Sequence, residues 1–70
     1  MSRAITVKYI DEDCNVETQV FSEKELNKKL VFATLGENEN LAGILDDESN
    51  DPLFILPIDI LYNVTFTEEE

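Results

Sequence analysis

Carboxylates are the only chemically active side chains this chain carries in number: 16 Asp and Glu stand against 5 Lys and Arg, for a net charge of −11. They could serve as acid–base groups, as metal ligands or as an anionic docking surface, and their neighbours decide which. The 70 residues contain no His and a single Cys. A neutral-pH general base is usually a His, the one side chain that titrates near 7 unperturbed. Without it, a hydroxyl or thiol nucleophile would need a Lys or a strongly shifted carboxylate as its base. Transition-metal sites want His or several Cys. The only glycines, Gly36 and Gly43, cannot build a phosphate-cradling loop or a dinucleotide fingerprint. The chain is therefore expected not to be an enzyme and to carry no metal and no cofactor.

Asp11, Asp13 and Asn15 match the opening of a calcium loop, but the sixth position should be Gly and is Val16, and the twelfth should be Glu and is Ser22. The Asp46–Asp51 cluster has no calcium-loop register either, and both stretches read as polar turns. Cys14 sits among carboxylates that disfavour its thiolate, which argues against a reactive role. One unpaired Cys also argues against a disulfide-stapled secreted domain and for a reducing cytoplasm. In a cytoplasmic chain the acceptor pattern Asn63-Val64-Thr65 carries no glycosylation. No apolar run approaches the ~18 residues of a membrane span, and Met1–Tyr9 lacks a signal peptide's apolar segment.

The carboxylates are unevenly placed. Residues 1–29 hold all five cations and six acids, whereas residues 30–70 hold ten acids and no cation. Like charges crowded in this way destabilise the compact state, and a basic partner surface would supply the missing counter-charge. The same sign excludes nucleic acid and anionic membranes as direct partners. The carboxylates expected to face the lysines and arginines of a target are Glu37, Glu39, Asp46, Asp47, Glu48, Asp51 and Asp59. In its sharpest form this is DNA mimicry, since residues i and i+2 of a strand lie ~6.6 Å apart on one face, a usable step for imitating phosphates. Lys24, Lys28 and Lys29 read as a solvated helix face paired with Glu25.

Four or so strands and one helix are expected to position these groups. Ala4–Ile10 and Val16–Phe21 alternate with period two around the polar turn at residues 11–15, which predicts a β-hairpin. Ser22-Glu23-Lys24-Glu25 reads as a capping box. Leu26, Leu30 and Ala33 follow at helical spacing and Gly36 stands as a stop, so a helix is predicted over residues 23–34. Leu41–Leu45 reads as a short strand, Asp46–Pro52 as a solvated turn, and Leu53–Leu56 as apolar chain again. From Ile58 to Phe66 alternation predicts a long strand, with Pro57 at an edge, a bulge or the strand's start. A competing reading makes Pro57–Tyr62 a short helical turn. The expected architecture is α+β, an antiparallel sheet in the order ββαββ, forming a single domain over residues 1–67 with a frayed acidic tail at 68–70. That order resembles β-grasp and small-barrel arrangements in topology alone.

Seven of the nine residues from Leu53 to Leu61 are apolar. One helix covers one face of a small sheet, so the other face needs a second layer, another subunit or a target. Phe54, Leu56 and Leu61 are the candidates for an apolar docking strip or a homodimer contact, unless a curled barrel hides both faces. In size, acidity and lack of catalytic residues the chain resembles the small inhibitors that bacteriophages use against host nucleic-acid enzymes and defence systems. That resemblance implies a cytoplasmic, non-enzymatic inhibitor binding the basic surface of a host protein (in the host cytoplasm if the chain is viral). The alternative is a structural or adaptor subunit docked through residues 53–61.

Overall fold

Period-two alternation carries the first third of the chain into an antiparallel pair, as the sequence predicts. The computed structural model describes residues 2–69. Its strands β1 (Ser2–Ile10) and β2 (Val16–Ser22) pair with Ile5 opposite Phe21 and Val7 opposite Gln19. Residues 11–15 join them, and inside the Asp11–Asn15 backbone bond the three residues 12–14 turn the chain, with Cys14 at φ 64°, the left-handed position that such loops use to bulge the hairpin. Opposite residues share a face, so Ile5 and Val7 turn inward while Val16 and Val20 lie on the outer face, 51 % and 60 % exposed.

Beyond the hairpin the architecture is mostly β, not the expected α+β arrangement in the order ββαββ. The helix predicted over residues 23–34 is a single turn, α1 (Glu23–Leu26). Ser22 does cap it, its Oγ accepting from the Glu25 amide at 3.1 Å. Asn27 then enters the left-handed region at φ 54° and donates its N–H to the Glu23 carbonyl, which ends the turn. Leu30–Leu35 forms strand β3, because Val31, Phe32 and Thr34 are stiff or aromatic side chains that suit a pleated surface. It pairs with β4 (Leu41–Asp46), which pairs with β5 (Pro52–Pro57). A tight turn at Glu37–Glu39, with Gly36, Asn38 and Glu39 at positive φ, joins β3 to β4. The long strand expected from Ile58 begins later. Ile58–Ile60 is a 3-10 turn capped by Pro57, close to the competing reading, and β6 runs from Leu61 to Glu69.

Two three-stranded antiparallel sheets result, in the orders β2-β1-β6 and β3-β4-β5. Ile5 and Val7 from the first sheet and Leu30, Ala42, Ile44 and Leu56 from the second form the buried core, flanked by Tyr9, Phe21, Phe32, Phe54, Leu61 and Val64. Glu68 and Glu69 belong to β6, opposite Arg3 and Ser2, and Glu69 accepts from the Ser22 hydroxyl at 2.7 Å. Glu70, the remainder of the expected tail, lies outside the described residues. Among the described residues no helix is long and apolar enough to cross a membrane.

A buried carboxylate joins the two sheets. Glu23, 7 % exposed, accepts from the Arg3 amide of β1 through Oε1 and from the Leu30 amide of β3 through Oε2, both at 2.7 Å. The Arg3 guanidinium donates to the Leu30 carbonyl at 2.7 Å and lies 3.6 Å from Oε2. Each carboxylate oxygen thus stands where a neighbouring strand's carbonyl would otherwise sit. Burial alone would raise the Glu23 pKa, but the Leu30 and Arg3 amide bonds and the Arg3 charge outweigh it and hold the group below its ordinary value.

Candidate functional site

Strand connectivity sorts the charges into two ends. Tyr9 pairs with Leu61, directly after the Ile58–Ile60 turn, and the Ile58 amide donates to the Asn40 carbonyl at 3.0 Å. The 11–15 loop, the Gly36–Asn40 turn and the 57–60 turn therefore gather at one end. They bring Asp11, Glu12, Asp13, Glu37, Glu39 and Asp59 together with no Lys or Arg in any of the three segments. At the opposite end lie α1, the 46–52 loop, the start of β1 and the finish of β6. Arg3, Lys24, Lys28 and Lys29 stand there among Glu23, Glu25, Asp46, Asp47, Glu48, Asp51, Glu68 and Glu69.

The seven carboxylates expected to form one surface are split. Glu37, Glu39 and Asp59 stand at the lysine-free end, whereas Asp46, Asp47, Glu48 and Asp51 stand at the mixed end. Five residue steps of β3 and β4, roughly 17 Å, separate the two groups. Sequence reasoning missed Asp11, Glu12 and Asp13 as members of the bare end. The antiparallel pairing of β1 with β6 and the Ile58–Asn40 bond bring them beside Glu37, Glu39 and Asp59, 24 to 48 positions away, and no local pattern carries that signal.

At the mixed end several carboxylates serve the fold. Asp46 Oδ1 accepts from the Glu48 amide at 2.9 Å, and Oδ2 lies 3.7 Å from the Lys28 ammonium. The Glu48 amide bond is the main cause that holds the Asp46 carboxyl below the ordinary aspartate value; burial opposes it, and Ser49 and Lys28 add to the lowering. The loop closes through Asn50 N to the Asp46 carbonyl at 2.8 Å and Asp47 N to the Lys29 carbonyl at 2.7 Å, with Asn50 at φ 61°. Lys28 thus neutralises part of the acidic second half from within. A shallow open depression is lined by Lys24, Lys28 and Lys29 together with Asp46, Glu48 and Glu69. Its charges are mixed and compensate one another.

The lysine-free end is different. Asp11 holds its loop, Oδ1 accepting from the amides of Asp13 at 2.9 Å and Asn15 at 2.8 Å. The Asn15 amide bond is the main cause lowering the Asp11 pKa. Glu12, Asp13, Glu37, Glu39 and Asp59 are exposed, and their carboxylates make no hydrogen bond among the described residues. Cys14 is an exposed free thiol in the same loop.

The apolar strip lies in the predicted segment with the opposite parity. Leu56 is 4 % exposed, Phe54 stacks its ring 5.8 Å from Tyr9 and 5.3 Å from Phe21, and Leu61 packs on the core. Ile55 and Leu53 face outward instead, 46 % and 38 % exposed. Leu53 is the extra residue of a bulge, since Ile44 pairs with Phe54 but Leu45 pairs with Pro52. The register places Val31 beside Leu45, Ala33 beside Gly43 and Ile55, and Leu35 beside Leu41 and Pro57 on one outer face, with no polar residue among them.

Among the described residues no three His, Cys, Asp or Glu side chains converge in a metal-binding arrangement. No protein-family model matches this chain, no curated protein matches its sequence, and no solved structure matches its fold.

Proposed function

We propose that this protein is a small inhibitor that docks its lysine-free end onto the basic surface of a nucleic-acid-handling protein and blocks it sterically and electrostatically. One observation supports this reading above the others. Three loops distant in sequence, none of which contains a Lys or Arg, deliver six carboxylates to one end, five of them unused by the fold. Eleven net charges along a longest dimension of 35 Å give one per ~3 Å, about half the density of duplex DNA at one per ~1.7 Å. That density suits competition for a nucleic-acid groove without copying every phosphate. The reading places the protein in a reducing cytoplasm, that of the host if it is viral.

The test captures partners from a bacterial lysate on the immobilised protein and elutes with salt and then duplex DNA. The expected result is a nucleic-acid-binding partner that both agents release. A variant carrying Glu12→Gln, Asp13→Asn, Glu37→Gln, Glu39→Gln and Asp59→Asn should lose that partner and its salt dependence. A variant carrying Asp47→Asn, Glu48→Gln and Asp51→Asn should retain it. A partner that resists both salt and DNA would overturn the electrostatic reading. It would favour a structural or adaptor subunit docked through the outer face of β3-β4-β5, whose wholly apolar rows support that second reading.

A further inference from the structure

Four strands end the two sheets, and three of them carry a proline, a charge or a bulge within the strand. The β5 edge carries Pro52 and Pro57, which lack an N–H, and the Leu53 bulge. The β2 edge follows Asp11–Asp13 and carries Glu17. The β6 edge starts after Asp59 and ends in Glu68 and Glu69. The β3 edge, Leu-Val-Phe-Ala-Thr-Leu, has no proline, charge or bulge.

Hydrogen bonds identify which β3 groups are open. The Asp47 amide donates to the Lys29 carbonyl, so Lys29 faces β4 with its peptide groups. Antiparallel ladders alternate, so Val31, Ala33 and Leu35 face β4 as well, and Leu30, Phe32 and Thr34 point their amides and carbonyls to the edge. Leu30 confirms the parity, because its N–H and carbonyl are both taken by the side chains of Glu23 and Arg3. Gly36, at φ 83°, ends the strand at the other side. The open stretch is therefore Val31–Leu35, and its centre is Ala33.

We infer that two copies of this chain pair antiparallel through β3, about a two-fold axis at Ala33. Phe32 and Thr34 of each copy then exchange amide–carbonyl bonds with Thr34 and Phe32 of the other. Val31 meets Leu35, and Ala33 meets itself where its small side chain leaves room. The same antiparallel orientation brings the Lys28–Lys29 end of β3 in one copy toward the Glu37–Glu39 end of β3 in the other, twice by symmetry. Within one chain these residues lie at opposite ends of β3 and cannot pair. β3 is the one free edge with cations before it and acids after it, so it is the one edge whose flanks complement themselves in an antiparallel dimer. The product is a continuous six-stranded sheet, β5-β4-β3 joined to its symmetry mate. The inference needs no other partner and does not rest on the inhibitor reading, although it draws on Glu37, one of the proposed docking carboxylates.

Sedimentation equilibrium of the full chain tests it. The expected mass is about 16 kDa at high concentration, twice the 8.0 kDa of one chain. Thr34→Pro removes an edge N–H that the monomer does not use, so it should keep the thermal unfolding midpoint while weakening dimerisation at least about tenfold. Lys29→Glu and Glu37→Lys should each weaken it about fivefold or more, and the double exchange should restore it. With Cys14→Ser in the background, Ala33→Cys should oxidise to a covalent dimer, since residues facing at a non-hydrogen-bonded position lie ~4.5 Å apart between Cα atoms. A monomer up to about 1 mM would overturn the inference. So would a dimer indifferent to both Thr34→Pro and the charge exchange, which would place the contact on another face.

Discussion

Replacing Glu23 by alanine removes one side chain and leaves two backbone amides without acceptors. The Leu30 residue is fully buried, so its N–H loses its partner with no route to water, a cost of about 1–3 kcal/mol. The Arg3 amide is only part-buried, water can reach it, and its loss costs about 0.5–1 kcal/mol. The Arg3 guanidinium is 44 % exposed, so the ion pair itself adds little once screening is counted. The expected total is about 2–4 kcal/mol, against ~4–10 kcal/mol for a domain of this length. Urea unfolding followed by far-ultraviolet circular dichroism measures it, and the thermal midpoint should fall by roughly 10–25 °C. Glu23→Gln is the sharper variant. It keeps the shape but has one acceptor oxygen, so its NH2 must face an amide N–H, and it should lose at least half as much. A glutamine variant within 0.5 kcal/mol of the parent would refute the two-acceptor account. The acid limb gives a second check. A carboxylate whose folded pKa is depressed contributes stability that is complete above the unfolded value, about 4.3, and disappears as pH falls through the folded value. The gap between parent and Glu23→Gln should therefore narrow below about pH 4. A gap that stays constant into acid would mean the ionised form is not what the sheets need.

Gly43→Ala should cost about 1–3 kcal/mol in urea unfolding, because a Cβ there would stand 2.5 Å from the Phe54 carbonyl and β5 must shift to admit it. Cys14→Gly should raise stability by about 0.5–1 kcal/mol, since Cys14 holds φ 64° in the hairpin loop; an unchanged midpoint would contradict that backbone conformation. Leu56→Ala should cost about 2–4 kcal/mol and Ile55→Ala under about 1 kcal/mol, and the reverse order would invert the face assignment of β5.

Where the sequence pattern was selective, it located structure. Residues 4–10 and 16–21 alternate with polar partners around a turn-rich loop, and only a hairpin satisfies both. Ser22 caps its helical turn as read, but a cap marks where a helix starts and says nothing of its length. Leu30–Leu35 is apolar at both parities, so the same letters fit a helical stripe at Leu26, Leu30 and Ala33 and a strand buried on one face. The left-handed turn at Asn27 decides between them, and asparagine is only one of several residues able to adopt it. The 53–61 run hid its parity for a related reason, since Leu53, Phe54, Ile55 and Leu56 are apolar on both faces and no polar residue marks the outer one. Glu23 gave no signal either. In sequence it is one acid in the first turn of a helix, and its burial follows from β1 and β3 meeting across it.

The charge asymmetry has a structural reason at one end and none at the other. Joining the two sheets requires Arg3 and Glu23, and closing the 46–51 loop uses Asp46 with Lys28, so cations collect where α1 enters β3. At the far end only Asp11 is engaged, through the loop amides it holds. The tight turns there, at positive φ for Gly36, Asn38 and Glu39, would be served as well or better by Asn, Ser or Gly. Glu12, Asp13, Glu37, Glu39 and Asp59 instead repel one another and weaken the fold they sit on. Carboxylates that the fold does not use and that work against it are the ones a basic partner explains. That is why the proposed docking surface is assigned to the lysine-free end and not to the 46–51 loop, although the loop is the denser acidic stretch in the sequence.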